Sequence, residues 1–237
     1  MHQQPRDIPD NRSVFVGFIL LLLIVFASFV PLVITQMYRP ENLLPRTKAW
    51  PIVAKSTDKS VWEASDGFIV EHVGAQPTTD GFKVMLRPNE VTTREAFFNE
   101  GLITRDTFKL SVDVNTPSDC YNGLVFRGNA LGEYYLFLVG SCANTYTVEI
   151  LRRESGEDLP REALIPNTSI PGSIGPPHTL SVIGKGETYY FYINGTYVDQ
   201  IIDSRLNGNH AGVEIMKCGG SSEDIVFDFD NFVLASP

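Results

Sequence analysis

The chain has 237 residues, 43% of them hydrophobic, and a formal net charge of −9 at pH 7. Residues 61–237 hold 12 Lys/Arg against 24 Asp/Glu, which excludes nucleic acid and anionic lipid headgroups as partners of that part, because both need clustered cations. Three cysteines and four histidines, with no C-x-x-C pair and no zinc-type spacing, exclude a metal cluster or a Cys-His dyad, so no cofactor is expected.

Residues 1–12 are a short polar tail. The run 14–34, VFVGFILLLLIVFASFVPLVI, has no charge and only Ser28 as a polar side chain. About 20 apolar residues at roughly 1.5 Å rise span a hydrocarbon core of about 30 Å, and the backbone is satisfied there only as a helix. The sequence therefore predicts a transmembrane helix over 13–35, kinked late by Pro31. The run is longer than a signal-peptide core and no small-residue cleavage site follows it, so an uncleaved anchor is expected. Arg6 and Arg12 on one side face Arg39, Arg46 and Lys48 on the other, and the positive-inside count does not fix the orientation.

Residues 36–60, with three prolines and little periodicity, read as an extended spacer. Its Lys48, Lys55 and Lys59 suit either headgroups or plain solvation. From Val61 onward, short runs rich in Val, Ile, Tyr and Phe alternate between Gly, Asn, Asp and Pro punctuation. In FKLSVDV, Phe108, Leu110, Val112 and Val114 share one face. Many short strands at close spacing predict an antiparallel all-β sandwich over 61–237. Only residues 92–103 have the composition for a helical turn or two.

Two turns can be read in detail. Asn194-Gly195 between TYYFYI and TYVDQI predicts a type I′ hairpin. Asn129–Gly132 closes a second hairpin, and with Gly128 facing Tyr134 the same register sets Cys120 opposite Cys142, close enough for a disulfide. A slip of one residue would undo that pairing, and Cys142–Cys218 is its rival. A bridge would place the domain outside the cytoplasm, with the N-terminus inside.

The stretches YNGLVFRG (Gly123 to Arg127), YYLFLV (Tyr134 to Phe137), YING (Ile193 to Gly195) and FDNF (Phe229 to Phe232) resemble the concanavalin A-like lectin/glucanase jelly rolls. Within them, the chain is most similar to the bacterial 3-keto-disaccharide hydrolase-like (LamG-like) domains. The resemblance implies a two-sheet jelly roll, a fold that hosts lectins, glycosidases and adhesion modules alike. Glucanases of this fold place their acid and nucleophile on one strand as E-x-D-x-x-E or E-x-D-x-E, and no such string occurs here. The nearest strand carboxylates, Asp228 and Asp230, stand in a terminal strand with a structural role. There is no G-x-S-x-G either.

Binding remains. If Leu124 and Phe126 point inward, Arg127 points outward. The same alternation turns out Glu149, Tyr190, Tyr192 and Glu214, an Arg, two Tyr and two Glu that could form a sugar or peptide platform. Calcium is common in this fold, with Asp119, Asp224 and Asp228 as possible ligands. The leading expectation is an anchored, outward-facing, non-catalytic module binding a glycan or a protein. The alternative is an accessory subunit of a membrane complex, with Gly17, Ala27 and Ser28 packed on partner helices. A sugar-active hydrolase stands third, on resemblance alone.

Overall fold

The computed structural model describes residues 50–55, 73–77, 81–86, 94–99, 103–115, 120–217 and 225–237, all within a compact unit that runs from Trp50 to Pro237. The expected membrane span at 13–35 lies outside the described residues. Among the described residues, no helix is long and apolar enough to cross a membrane.

The first strands are β1 (Ile52–Lys55), β2 (Val73–Pro77), β3 (Gly81–Leu86), β4 (Arg94–Asn99) and β5 (Thr107–Asn115). Next come β6 (Cys120–Gly128), β7 (Tyr134–Gly140), β8 (Thr145–Leu151), the two-residue pair β9 (Arg153–Glu154) and β10 (Glu157–Asp158), and β11 (Glu162–Ser169). The last are β12 (His178–Lys185), β13 (Thr188–Ile193), β14 (Thr196–Ile202), β15 (His210–Lys217) and β16 (Ile225–Ala235). One sheet of eight strands runs β14-β13-β12-β5-β16-β3-β2, with β1 also paired to β16. The second, of six, runs β11-β8-β7-β6-β15-β4. Their pairings are antiparallel.

The core lies between the two sheets. The alternation read in β5 holds: Phe108, Leu110, Val112 and Val114 are buried in it. Strands β12 and β13 add Leu180, Val182, Tyr189 and Phe191, and the facing sheet adds Leu124, Phe126, Phe137 and Val148. Aromatic rings join the layers, with Phe126 5.1 Å from Tyr189 and Phe137 4.9 Å from Phe191 between centroids. Truncating such a ring to alanine typically costs about 3–5 kcal/mol.

The six-stranded sheet is apolar on its other face as well. Val125, Tyr134, Leu136, Leu138 and Leu151 form a second buried cluster there. Every residue of β7 is buried, which is what a continuous apolar run such as YYLFLV specifies for a strand covered on both faces.

Asn194 and Gly195 both have positive φ, 50° and 72°, and Ile193 pairs with Thr196 around them, so the type I′ hairpin forms as read. Three expectations need correction. Residues 94–99 are strand, not helix, because pairing with β15 outweighs the local preference of Glu and Ala for helix. The expected spacer supplies β1 at 52–55, which pairs with the last strand.

The third correction concerns the cysteines. Close to the 129–132 turn the predicted register holds, and Asn129 N donates to Glu133 O at 3.0 Å. Arg127 then adopts φ 52°. Across from it, Val125 and Gly128 of β6 face Gly212 and His210 of β15, so one extra residue is inserted in β6 as a β-bulge. Beyond it the register with β7 has moved by one, with Phe126 opposite Tyr135 and Tyr121 opposite Gly140. Ser141 N therefore donates to Cys120 O. Cys120 faces the core, fully buried and keeping its thiol, and the Cys120–Cys142 bridge does not form.

Candidate ligand-binding site

The five residues expected on one platform divide into three groups. The bulge turns Arg127 inward rather than out. Its side chain is only 6% exposed, and its guanidinium stands 5.1 Å from the Phe108 ring centroid. Nη2 donates to the carbonyls of Arg105 and Asp106, both at 3.4 Å. Burial raises the Tyr189 hydroxyl pKa, and the charge and hydrogen bond of Arg127 oppose that rise. Arg127 thus closes one end of the core and is removed from the candidate ligand contacts.

Glu149 and Glu214 do come together, on the second face of the six-stranded sheet, through Arg161, a residue the sequence reading did not single out. Arg161 Nη1 lies 2.9 Å from Glu214 Oε1 and 3.7 Å from Glu149 Oε2. Tyr134 donates its hydroxyl to Glu214 Oε2 at 2.8 Å and accepts from Arg161 Nη2 at 2.9 Å. The guanidinium also lies 5.5 Å from the Tyr134 ring centroid. Glu214 has no solvent exposure. Burial disfavours the Arg161 charge, but Glu214, Tyr134 and Glu149 outweigh it, and its pKa is raised. This is a charge-compensated network of charge-assisted hydrogen bonds. An acid–nucleophile pair needs two carboxyl groups flanking the substrate, whereas these two flank a guanidinium.

Tyr190 and Tyr192 lie on the other sheet, on the face of β13 away from the core. Tyr190 is half-buried, and Tyr192 is buried with its ring edge-on to Tyr197 at 5.8 Å. Of the residues considered for calcium, Asp119 and Asp224 lie outside the described residues. Among the described residues, no three His, Cys, Asp or Glu stand close enough together to hold a metal ion.

A concave feature among the described residues lies elsewhere. Strands β14 and β11 are edge strands of the two sheets. Between them opens a cavity of about 350 Å³, lined among others by Tyr146, Thr168, Ser173, Asn194, Thr196 and Tyr197. Tyr146, on β8 beside β11, reaches across the open side of the sandwich. Its hydroxyl donates to Asp199 Oδ2 at 3.2 Å and lies 3.4 Å from Val198 O. Burial, then the Asp199 charge and hydrogen bond, push that phenol up to about 12, so it stays a neutral donor. Tyr197, 36% exposed, supplies a second ring.

One residue shapes the outer wall. Asn144, at φ 49°, donates from Nδ2 to Ile170 O at 3.0 Å and to Gly172 O at 2.7 Å. Its Oδ1 accepts from Ile174 N at 3.0 Å, and its backbone carbonyl from Ile170 N at 2.9 Å. Asn tolerates the left-handed conformation, and its amide offers both donor and acceptor. The Pro/Gly/Ser-rich segment 170–174 is thereby fastened to the end of the β7–β8 turn. The opposite wall is the Asn194-Gly195 turn, which the sequence reading identified without its groove. Asn194 Oδ1 accepts from Thr179 N at 2.8 Å, and this leaves its Nδ2 as a donor.

No family model matches the sequence, and no curated protein matches it. Solved structures are similar at the level of fold. The carbohydrate binding module CBM66 from Bacillus subtilis has a TM-score of 0.52 at 15% identity, covering 69% of this chain and 92% of its own. A Bacteroides ovatus mixed linkage glucan GH16 enzyme, solved with a G4G4G3G product, has 0.54 at 11% identity, covering 77% of this chain and 100% of its own. The laminarinase catalytic domain from Thermotoga maritima has 0.51 at 11% identity, covering 80% and 100%. The described residues therefore form a two-sheet jelly-roll sandwich of the kind shared by binding modules and glucanases.

Proposed function

We propose that this chain is a glycan-binding module without catalytic activity, held by its N-terminal apolar run on the outer side of a membrane. The observation that carries the reading is the groove between β11 and β14. The exposed Tyr197 ring offers an apolar face to sugar C–H surfaces, and the hydroxyl and amide groups of the lining offer hydrogen bonds to sugar hydroxyls. A concave site with a few convergent polar groups is the usual form of a small-ligand pocket. The fold it shares with CBM66 adds support by analogy. The non-catalytic reading is supported by Arg161, which stands between Glu149 and Glu214.

The test is a glycan array probed with the full chain in mild detergent, together with hydrolysis assays on each oligosaccharide that binds. Binding without product release is expected. Turnover that disappears in Glu214→Gln would refute the non-catalytic reading. An array with no bound glycan would refute the function.

A further inference from the structure

The lining of the groove also selects among glycans, an inference that rests on the glycan-binding reading above. Neither Lys nor Arg contributes to that lining, so nothing in it can form the charge-assisted pair by which an acidic sugar is normally held. The charge just behind the lining is negative. Asp199 follows the lining residues Tyr197 and Val198 on β14. Its Oδ2 accepts from Tyr146 at 3.2 Å and its Oδ1 from Gln200 N at 2.8 Å. A carboxylate one hydrogen bond behind the lining residue Tyr146 repels an anion in the groove without touching a neutral ligand.

The remaining groups suit uncharged ligands. Asn194 presents a donor amide beside the turn. The volume, about 350 Å³, lies near the lower end of the ~300–1,000 Å³ range of small-ligand pockets. It suits a short stretch of one or two sugar residues better than a long internal segment.

We propose that the groove takes one or two uncharged sugar residues and rejects uronic and other acidic sugars, with Asp199 as the residue that sets this discrimination.

The test uses the full chain in mild detergent. Calorimetric affinities are measured for neutral disaccharides from the array and for the matching disaccharides oxidised to uronates. Wild type should bind the neutral members at least tenfold more tightly. Asp199→Asn should cut the preference for neutral over uronate members, read as the ratio of the two affinities, tenfold or more. Thr196→Lys, at an exposed position of the lining, should move preference the same way and serves as the second variant if Asp199→Asn melts early. Uronates bound by wild type as tightly as their neutral counterparts would overturn the inference and leave glycan binding intact. Discrimination unchanged in both variants would also overturn it. Absence of binding to every sugar would instead remove the functional reading on which it rests.

Discussion

Tyr146 and Asp199 belong to different sheets, and the 3.2 Å hydrogen bond between them ties the sandwich together beside the groove. The same bond fixes Tyr146 in the lining of the groove and the position of the carboxylate behind it. Tyr146→Phe should lower stability by about 0.5–1.5 kcal/mol, the usual net value of one hydrogen bond, because Asp199 is half-buried and water can replace the lost donor. Urea denaturation checks this, with an unchanged m-value expected.

A larger loss is expected at the network on the six-stranded sheet. Arg161→Met leaves the fully buried Glu214 without its cation. Removing one partner of a buried pair costs about 3–5 kcal/mol, and the lower end applies because Arg161 is about one-fifth exposed. Glu149→Gln, at the longer 3.7 Å contact, should cost under about 1 kcal/mol. Equal losses in the two variants would show that Glu214 does not depend on Arg161.

His178 gives the pH dependence a defined window. It is 2% exposed, with Nε2 3.1 Å from Asn122 Oδ1 and no partner on Nδ1. Burial lowers its pKa from 6.5 to about 4. Between those values the unfolded chain binds the proton and the folded chain does not. Stability is therefore complete above pH 6.5 and falls as pH drops toward 4, at a slope of up to about 1.4 kcal/mol per unit. The lowered carboxylates Asp203 and Glu133 act in the same direction but only at lower pH, near and below their ordinary range. Denaturation midpoints from pH 7 to 4 should show the slope in wild type and a flatter one in His178→Gln.

The cysteines make a separate prediction. Cys120 is sealed in the core opposite Ser141, while Cys142 is exposed in the following turn. Non-reducing peptide mapping is expected to link Cys142 to Cys218 and to find Cys120 alkylated only after denaturation. A Cys120–Cys142 peptide would show that the Arg127 bulge is absent in solution.

The parts of the fold that depend on local pattern were legible in the sequence. Alternation in FKLSVDV specified which face of β5 enters the core, and Asn194-Gly195 specified its hairpin, because each of those signals depends only on neighbouring residues. The bulge was not legible, since Arg127 carries no compositional mark of a positive φ. That single residue both displaced Cys120 and turned a supposed surface arginine inward. Alternation also turned Glu149 and Glu214 away from the core, yet it could not show Arg161, which follows Pro160 outside any periodic run. The groove escaped notice because its walls come from three distant stretches, around 144–146, 168–174 and 193–198, that only the closing of two sheet edges brings together.

The most direct measurement of the central claim is the affinity of a glycan selected from the array for wild type, Tyr197→Ala and Asn144→Gly. Tyr197→Ala removes an exposed ring, and Asn144→Gly keeps the left-handed backbone while releasing segment 170–174. Groove binding predicts at least a tenfold loss in both, about 1.4 kcal/mol, with Tyr197→Ala costing in stability only about 0.5–1.5 kcal/mol for its ring contact with Tyr192. Wild-type affinity in both variants would place the glycan elsewhere and contradict the site.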